Sequence, residues 1–179
     1  MDWSGLSLAV GVSIAQSLHA DIGLKWPNDL WLQDRKLAGI LIETCAVGSQ
    51  RYVVVGVGIN IIQPAESLTQ QTAPLRRSPA WLQELQPQMC APDALWHIAP
   101  ALIQTILAFA EQGFAPFQAR FNQLDVLRDR NISVDGHHTD ASATTSGIAL
   151  GVNNKGELMI QTAQGKKTIN SSEVSVKPL

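Results

Sequence analysis

Residues 25–60 read KWPNDLWLQDRKLAGILIETCAVGSQRYVVVGVGIN, and this stretch decides the fold. It alternates turn chemistry with β-prone runs. Pro27-Asn28-Asp29 is a turn, because Pro fixes φ and the Asn and Asp side chains bond back to their own backbone. Leu30-Trp31-Leu32 reads as a short strand and Gln33-Asp34-Arg35 as the next turn. Lys36 to Cys45 reads as a longer strand interrupted by Gly39, followed by a turn at Val47-Gly48-Ser49. Tyr52 to Ile62 is nearly all apolar and β-branched, which predicts a central strand buried on both faces. Closely spaced strands on short turns favour an antiparallel meander.

Upstream, Gly5 to His19 reads as one helix with Ser4 as its N-cap. Leu6, Leu8, Ala9, Val12, Ile14, Ala15 and Leu18 cover a broad apolar arc, so the helix is expected to be well buried. Downstream, Ile62 to Ala91 holds Pro64, Pro74, Pro79 and Pro87 among many Gln and Ser. It reads as a surface excursion with a short helix near Trp81–Leu85. Pro92 to Glu111 returns to helical period, with Asp93 favourable to the helix dipole. Pro100 is expected to kink or break this helix, and Gly113 to stop it. Phe114 to Leu124 forms a last helix. From Val126 the pattern becomes Ile132–Val134, Gly147–Val152, Leu158–Thr162, Thr168–Ile169 and Val174–Val176, separated by glycine-bearing turns. Short, closely spaced strands of this kind predict a small β-barrel. Residues 126–179 are few for an independent core, so this unit is expected to lean on the first. No internal repeat is visible.

Of the 179 residues, 45% are hydrophobic and 16% charged, enough apolar material for a core and too little charge for a disordered chain. The net charge of −2 and pI of about 6.0 offer no basic stripe, so nucleic acid is not an expected partner. Cys45 and Cys90 form no CxxC, and no secretory leader is apparent. Two reduced thiols in the cytoplasm are therefore expected. No run of about 18 apolar residues calls for a membrane span.

Three clusters carry chemistry. Lys25-Trp26-Pro27-Asn28-Asp29 sets a cation, an amide and a carboxylate on one rigid turn; the plain alternative is a solvated hairpin. In Lys36-Leu37-Ala38-Gly39-Ile40-Leu41-Ile42-Glu43 a lysine enters an apolar strand, where its ammonium needs a partner. Gly39 marks close approach by a ligand or backbone. The alternative is an edge lysine that snorkels beside a bulge, with Glu43 on the solvent face. In Val55-Gly56-Val57-Gly58-Ile59-Asn60 the third glycine of a dinucleotide fingerprint is missing and no helix opens, so a Rossmann site is not supported. The glycines instead let a flat ligand approach, with Asn60 at the strand end.

The order and spacing of these three motifs resemble the biotin–protein ligases, also described as biotin–[acetyl-CoA-carboxylase] ligases. The resemblance runs through the helices at 92–124. At Leu124-Asp125 and from Gly147 to Lys177 it looks like the family's SH3-like barrel. It implies an α+β fold, in which a mixed or antiparallel sheet, class II synthetase-like but incomplete, is covered by helices on one side. It divides the chain into a partial catalytic domain at 1–125 and an SH3-like domain at 126–179. The implied activity forms biotinoyl-5′-adenylate from biotin and ATP with Mg²⁺, then moves biotin to a lysine of a biotin carboxyl carrier domain. By resemblance Lys36 contacts biotin and the α-phosphate and is the catalytic residue. Gly39 and Ile40 lie beside the biotin ring. Lys25, Asn28, Asp29, Asn60, Glu173 and Lys177 serve the nucleotide.

The family's glycine- and arginine-rich loop is expected before the first helix, where this chain begins, and none of its arginines sits in a Gly-Arg-Gly context. The sequence also shows no winged-helix segment. The expectation is a truncated and impaired ligase. The alternatives are a non-catalytic nucleotide-binding or dimerising fragment, or a lipoate–protein ligase. Homodimers through sheet edges are part of what the resemblance implies; a membrane partner is not. His137-His138 is expected to be a solvated turn. Cys45 is expected to be a packed thiol, Trp81 and Trp96 core residues, and Trp3 unpacked.

Overall fold

The computed structural model describes residues 2–48, 50–64, 78–136, 145–170 and 174–178. Helix α1 (Leu6–Leu18) lies at the centre, with ten of its thirteen residues buried. A helix apolar on nearly all sides can be stable only when it is enclosed. Here the enclosing elements are a second helix, the sheet, the short helix that precedes the C-terminal strands and the turn at Gly156. Its N-cap is Gly5 at φ +81°, not Ser4. The Ser4 backbone N–H instead donates to Asp2 Oδ1 at 2.9 Å. A Cβ on Gly5 would meet the Phe114 ring at 2.7 Å, so close packing as well as φ requires glycine there.

The 25–60 stretch forms the expected antiparallel meander: β1 (Gly23–Lys25), β2 (Asp29–Leu32), β3 (Arg35–Val47) and β4 (Gln50–Ile59), paired in that order. The β2–β3 turn places Gln33 and Asp34 at positive φ. β4 departs from the expectation of a strand buried on both faces. It is an edge strand whose Val53, Val55, Val57 and Ile59 pack toward the core, while Tyr52 and Val54 are exposed. A continuous β-branched run does not distinguish an edge from a centre, because strand propensity reflects a half-buried pleat. Cys45, on the far part of β3, is exposed rather than packed.

Helix α2 (Ala91–Gln112) packs on α1 and runs unbroken through Pro100. Pro100 is exposed, so the carbonyl that loses its partner can bond water instead. Among the described residues α2 is the one helix long and apolar enough to cross a membrane by length and composition, a test that core helices also pass. Its Ala94, Ile98 and Phe109 are buried in the core. Trp96 lies on the opposite side and is 82% exposed, against the expectation of a core residue; Trp81 is half-buried. Trp3 does find a partner, stacking on Phe109 with ring centroids 6.4 Å apart. The excursion before α2 contains a 3₁₀ turn at Leu82–Glu84, and the last helix divides into a 3₁₀ turn (Ala115–Phe117) and α3 (Gln118–Leu124).

The C-terminal strands β5 (Asn131–Gly136), β6 (Thr145–Val152), β7 (Leu158–Thr162), β8 (Gly165–Ile169) and β9 (Val174–Pro178) form one antiparallel sheet in the order β8-β7-β6-β5-β9. Among the described residues no pairing joins β8 to β9, so the barrel closure expected from the strand pattern is not seen. His137-His138 lies outside the described residues. A single hydrophobic cluster runs from Leu6 to Val176, so the two sheets share one core. At the seam Leu24 bridges Asp125 in parallel, and the Val126 N–H donates to the Leu24 carbonyl at 2.9 Å.

Candidate active site

The register of the meander sets the site. Lys25 pairs with Asp29, Asp29 with Gly39, and Gly39 with Gly58. Directly paired residues share a face. One row across four strands therefore presents a cation, a carboxylate and two positions with no side chain. Lys36 stands one row away opposite Trp31, beyond the irregularity between Leu30 and Trp31. Its ammonium reaches back to Asp29 Oδ1 at 2.6 Å. Gly39 makes room for that reach: a Cβ there would sit 3.1 Å from Lys36 Nζ and 3.7 Å from Asp29 Oδ1. The Lys36 side chain is 54% exposed and that of Asp29 15% exposed, so the pair has one open side.

Lys25 Nζ lies 5.1 Å from the centre of the Trp31 ring, within cation–π range. Burial pulls the Lys25 ammonium below its usual range, opposed by Asp29 and reinforced by Lys36. Two cations around one carboxylate leave a net positive charge over a floor of glycines, an arrangement that attracts a flat, anionic ligand.

The turn is tied down at both ends. Asn28 Nδ2 donates to the Ile40 carbonyl at 2.8 Å, and the Ile40 N–H donates to the Asn28 carbonyl at 2.9 Å. Ser7 Oγ on α1 donates to the Pro27 carbonyl at 3.1 Å. Beside it lies a pocket of about 210 Å³ lined by Ser7, Pro27, Asn28, Ile40, Leu41 and Ile42. A larger cavity of about 410 Å³ lies between β4 and α2, on the helix-covered face that Ile40 and Ile42 share with Val57 and Val55. It is lined only by apolar residues, so it offers no groups for chemistry.

The structure thus brings Lys25, Asp29, Lys36 and Gly39 together on one face; Asn28 is tied to the Ile40 backbone, and the Ile40 side chain is buried on the other face. Asn60 stands at the end of β4, where Nδ2 donates to the carbonyls of Lys36 (3.3 Å) and Ala80 (3.2 Å). It pins the 78–82 segment beside Lys36. Lys177 pairs with Asp135 at 3.0 Å within the C-terminal sheet. Glu173 lies outside the described residues. Sequence reasoning missed Ser7 and the Arg35–Glu84 ion pair, which braces the segment beside Asn60. It also missed the contact from the Trp26 indole to Gly156. None of these carries a local signal, because each joins residues far apart in the chain.

The model of the biotin/lipoate A/B protein ligase family matches residues 4–60, and that of the biotin protein ligase C-terminal domain matches residues 139–177. The chain belongs to the biotin–protein ligase family. The ligase motifs at Lys25–Asp29, Lys36–Ile40 and Asn60 all lie in the first match, and Glu173 and Lys177 in the second. The chain is 31% identical to the bifunctional ligase/repressor BirA of Escherichia coli (strain K12), over 97% of its own length and 53% of the relative's. It is 25% identical to the biotin–[acetyl-CoA-carboxylase] ligase of Paracoccus denitrificans, over 96% of its own length and 70% of that relative's. The fold matches the biotin protein ligase from Aquifex aeolicus in complex with biotin and ATP. That match has a TM-score of 0.79 at 23% identity, covering 99% of this chain and 73% of the other. The chain spans about half the length of the BirA relatives it matches. As family membership implies, the fold is α+β, with antiparallel sheets packed by helices.

Proposed function

We propose that this chain supplies the adenylate-forming centre of a biotin–protein ligase, a cytoplasmic enzyme. In this reading residues 1–125 carry the catalytic part and 126–179 the C-terminal domain. The carboxylate oxygen of biotin attacks the α-phosphorus of ATP, the bond to pyrophosphate breaks, and biotinoyl-5′-adenylate forms. The neutral amine of a carrier-domain lysine then attacks the acyl carbon. AMP leaves with the electrons of the broken acyl–oxygen bond, and the new amide nitrogen sheds a proton.

The first step brings a carboxylate up to an anionic phosphate, so fixed cations must offset the repulsion and the charge that develops. Lys36 is the catalytic residue in this reading, and its link to Asp29 beside Gly39 is the observation that carries it. Asp29 holds the ammonium in place and stands ready to order the incoming amine. Lys25 adds the second cation. Gly39 and Ile40 border the biotin ring, while Asn28 and Asn60, with Glu173 and Lys177, serve the nucleotide. The described residues hold no cluster of three or more metal-ligating side chains. One carboxylate with nearby amides suits Mg²⁺ carried on the nucleotide phosphates with most of its water shell. When bound, it would neutralise phosphate charge.

The test is ATP- and Mg²⁺-dependent transfer of biotin to a biotin carboxyl carrier domain, by this chain and by one extended upstream, each with and without Lys36→Ala. Transfer that Lys36→Ala abolishes supports the reading. An extended chain that stays inactive with a competent carrier overturns it. A lipoate ligase or a non-catalytic dimerising fragment then moves ahead; exposed Leu41, Tyr52 and Val54 on β3 and β4 favour the fragment.

A further inference from the structure

The residue between Lys25 and Pro27 is Trp26, and it points away from the site. Its side chain is fully buried, and its indole N–H donates to the Gly156 carbonyl at 3.0 Å, a buried bond across 130 residues of chain. Gly156 ends a tight turn between β6 and β7. Asn153 organises this turn: its Oδ1 accepts the N–H groups of Lys155 (2.9 Å) and Glu157 (3.1 Å), and its carbonyl accepts the Gly156 N–H at 3.0 Å. Its Nδ2 donates to Glu157 Oε2 at 2.7 Å.

Gly156 has φ +80°, and a Cβ there would sit 2.9 Å from Gly5 Cα and 3.0 Å from Leu8 Cδ1. Both conditions require glycine. The turn is therefore wedged against the first turn of α1, where Gly5 and Leu8 flank Ser7, which holds Pro27. Asn122 of α3 fixes the other end of the connection: its Oδ1 accepts the Val152 N–H at 2.8 Å.

We infer that the Asn153–Gly156 turn of the C-terminal sheet is a positioning element for the Lys25–Asp29 turn, acting through the bond from the Trp26 indole to the Gly156 carbonyl. Trp26 and Gly156 are positioning residues that touch no ligand. Through them the C-terminal sheet sets where Lys25 and Asp29 stand over the glycine floor. The inference rests on the ligase reading for what the site binds, but not for whether the turn is held.

Two variants test it in the full chain. Trp26→Phe keeps an aromatic ring and removes the N–H; Gly156→Ala disturbs the acceptor. Amide hydrogen exchange is followed in segment 23–31 and in α1, and ATP affinity is measured by calorimetry. Both variants are expected to speed exchange in 23–31; Trp26→Phe should leave α1 within about twofold of wild type, while Gly156→Ala, whose Cβ meets Gly5 and Leu8, should also loosen the first turn of α1 but not its remainder. Each is expected to weaken ATP binding by up to about tenfold, the ceiling set by the worth of one buried hydrogen bond. The double variant should bind no more weakly than the poorer single one, since both break the same link. Unchanged exchange in 23–31, or faster exchange everywhere alike, overturns the inference. So does loosened exchange with unaltered ATP affinity, which marks a purely structural contact. If the wild-type chain binds neither ATP nor biotin, exchange alone decides whether the turn is held, and the ligase reading stands or falls separately with the extended chain.

Discussion

Replacing Asp125 with asparagine is expected to remove a pH dependence built into the seam between the two sheets. Asp125 is 9% exposed; its Oδ1 accepts the Leu127 N–H at 2.9 Å, while Oδ2 is buried without a partner. Burial pushes its carboxyl from the usual 3.8 up to about 6, against the opposing pull of the Leu127 N–H and Arg128. The folded state therefore binds this proton more tightly than the unfolded chain does. Stability falls as pH rises from about 4 to 6, and the full penalty stands above the folded pKa. A shift of about two units corresponds to about 3 kcal/mol, most of it appearing between pH 4 and pH 8. The amide introduced by Asp125→Asn would keep an acceptor for the Leu127 N–H and never ionise. Urea unfolding of both proteins across this range is the assay. The wild type should lose about 2–3 kcal/mol relative to Asp125→Asn as pH rises from 4 to 8, with the other carboxylates cancelling in the difference. Parallel curves for the two proteins would refute the argument that the seam excludes water from Asp125.

Two further outcomes follow from packing. Gly39→Ala places a Cβ 3.1 Å from the flexible end of Lys36, so it should cost less than about 1 kcal/mol in thermal unfolding. The same change should displace the ammonium from Asp29 and weaken ATP binding several-fold in calorimetry. Ile14→Ala, at the fully buried centre of α1, should cost about 2–5 kcal/mol in urea unfolding and leave the circular-dichroism spectrum of the folded state unchanged.

Local chemistry made the meander legible. Pro27-Asn28-Asp29 and Gln33-Asp34 name their own turns, and Leu158–Thr162 forms a strand with the bounds its pattern predicts. The motif residues from Lys25 to Ile40 were legible as a group because sequence neighbours on short hairpins remain neighbours in space. Properties set by distant parts of the chain were not legible. The burial of β4 depends on what covers its outer face, which no residue in Tyr52–Ile59 encodes. Pro100 interrupts a helix on paper but is tolerated because its face of α2 is wet. Trp96 and Trp3 exchange their expected places because aromatic residues suit core and surface alike, and only the packing of α2 on α1 separates them. The hold of Gly156 on Trp26 joins residues 130 positions apart and leaves no mark in either neighbourhood.

The row Lys25–Asp29–Gly39–Gly58 takes one residue from each of four strands, so its composition depends on the reading frame of three hairpins. Successive residues of a strand face opposite ways, and a slip of one position exchanges the two faces. One residue inserted between Leu37 and Gly39 would turn that glycine toward the helices and set a bulky neighbour on the floor, with no functional side chain lost. Lengthening the β3–β4 hairpin beyond Val47 would leave the row intact. Insertions along this stretch should therefore divide by parity and place rather than by how near they fall to a lysine.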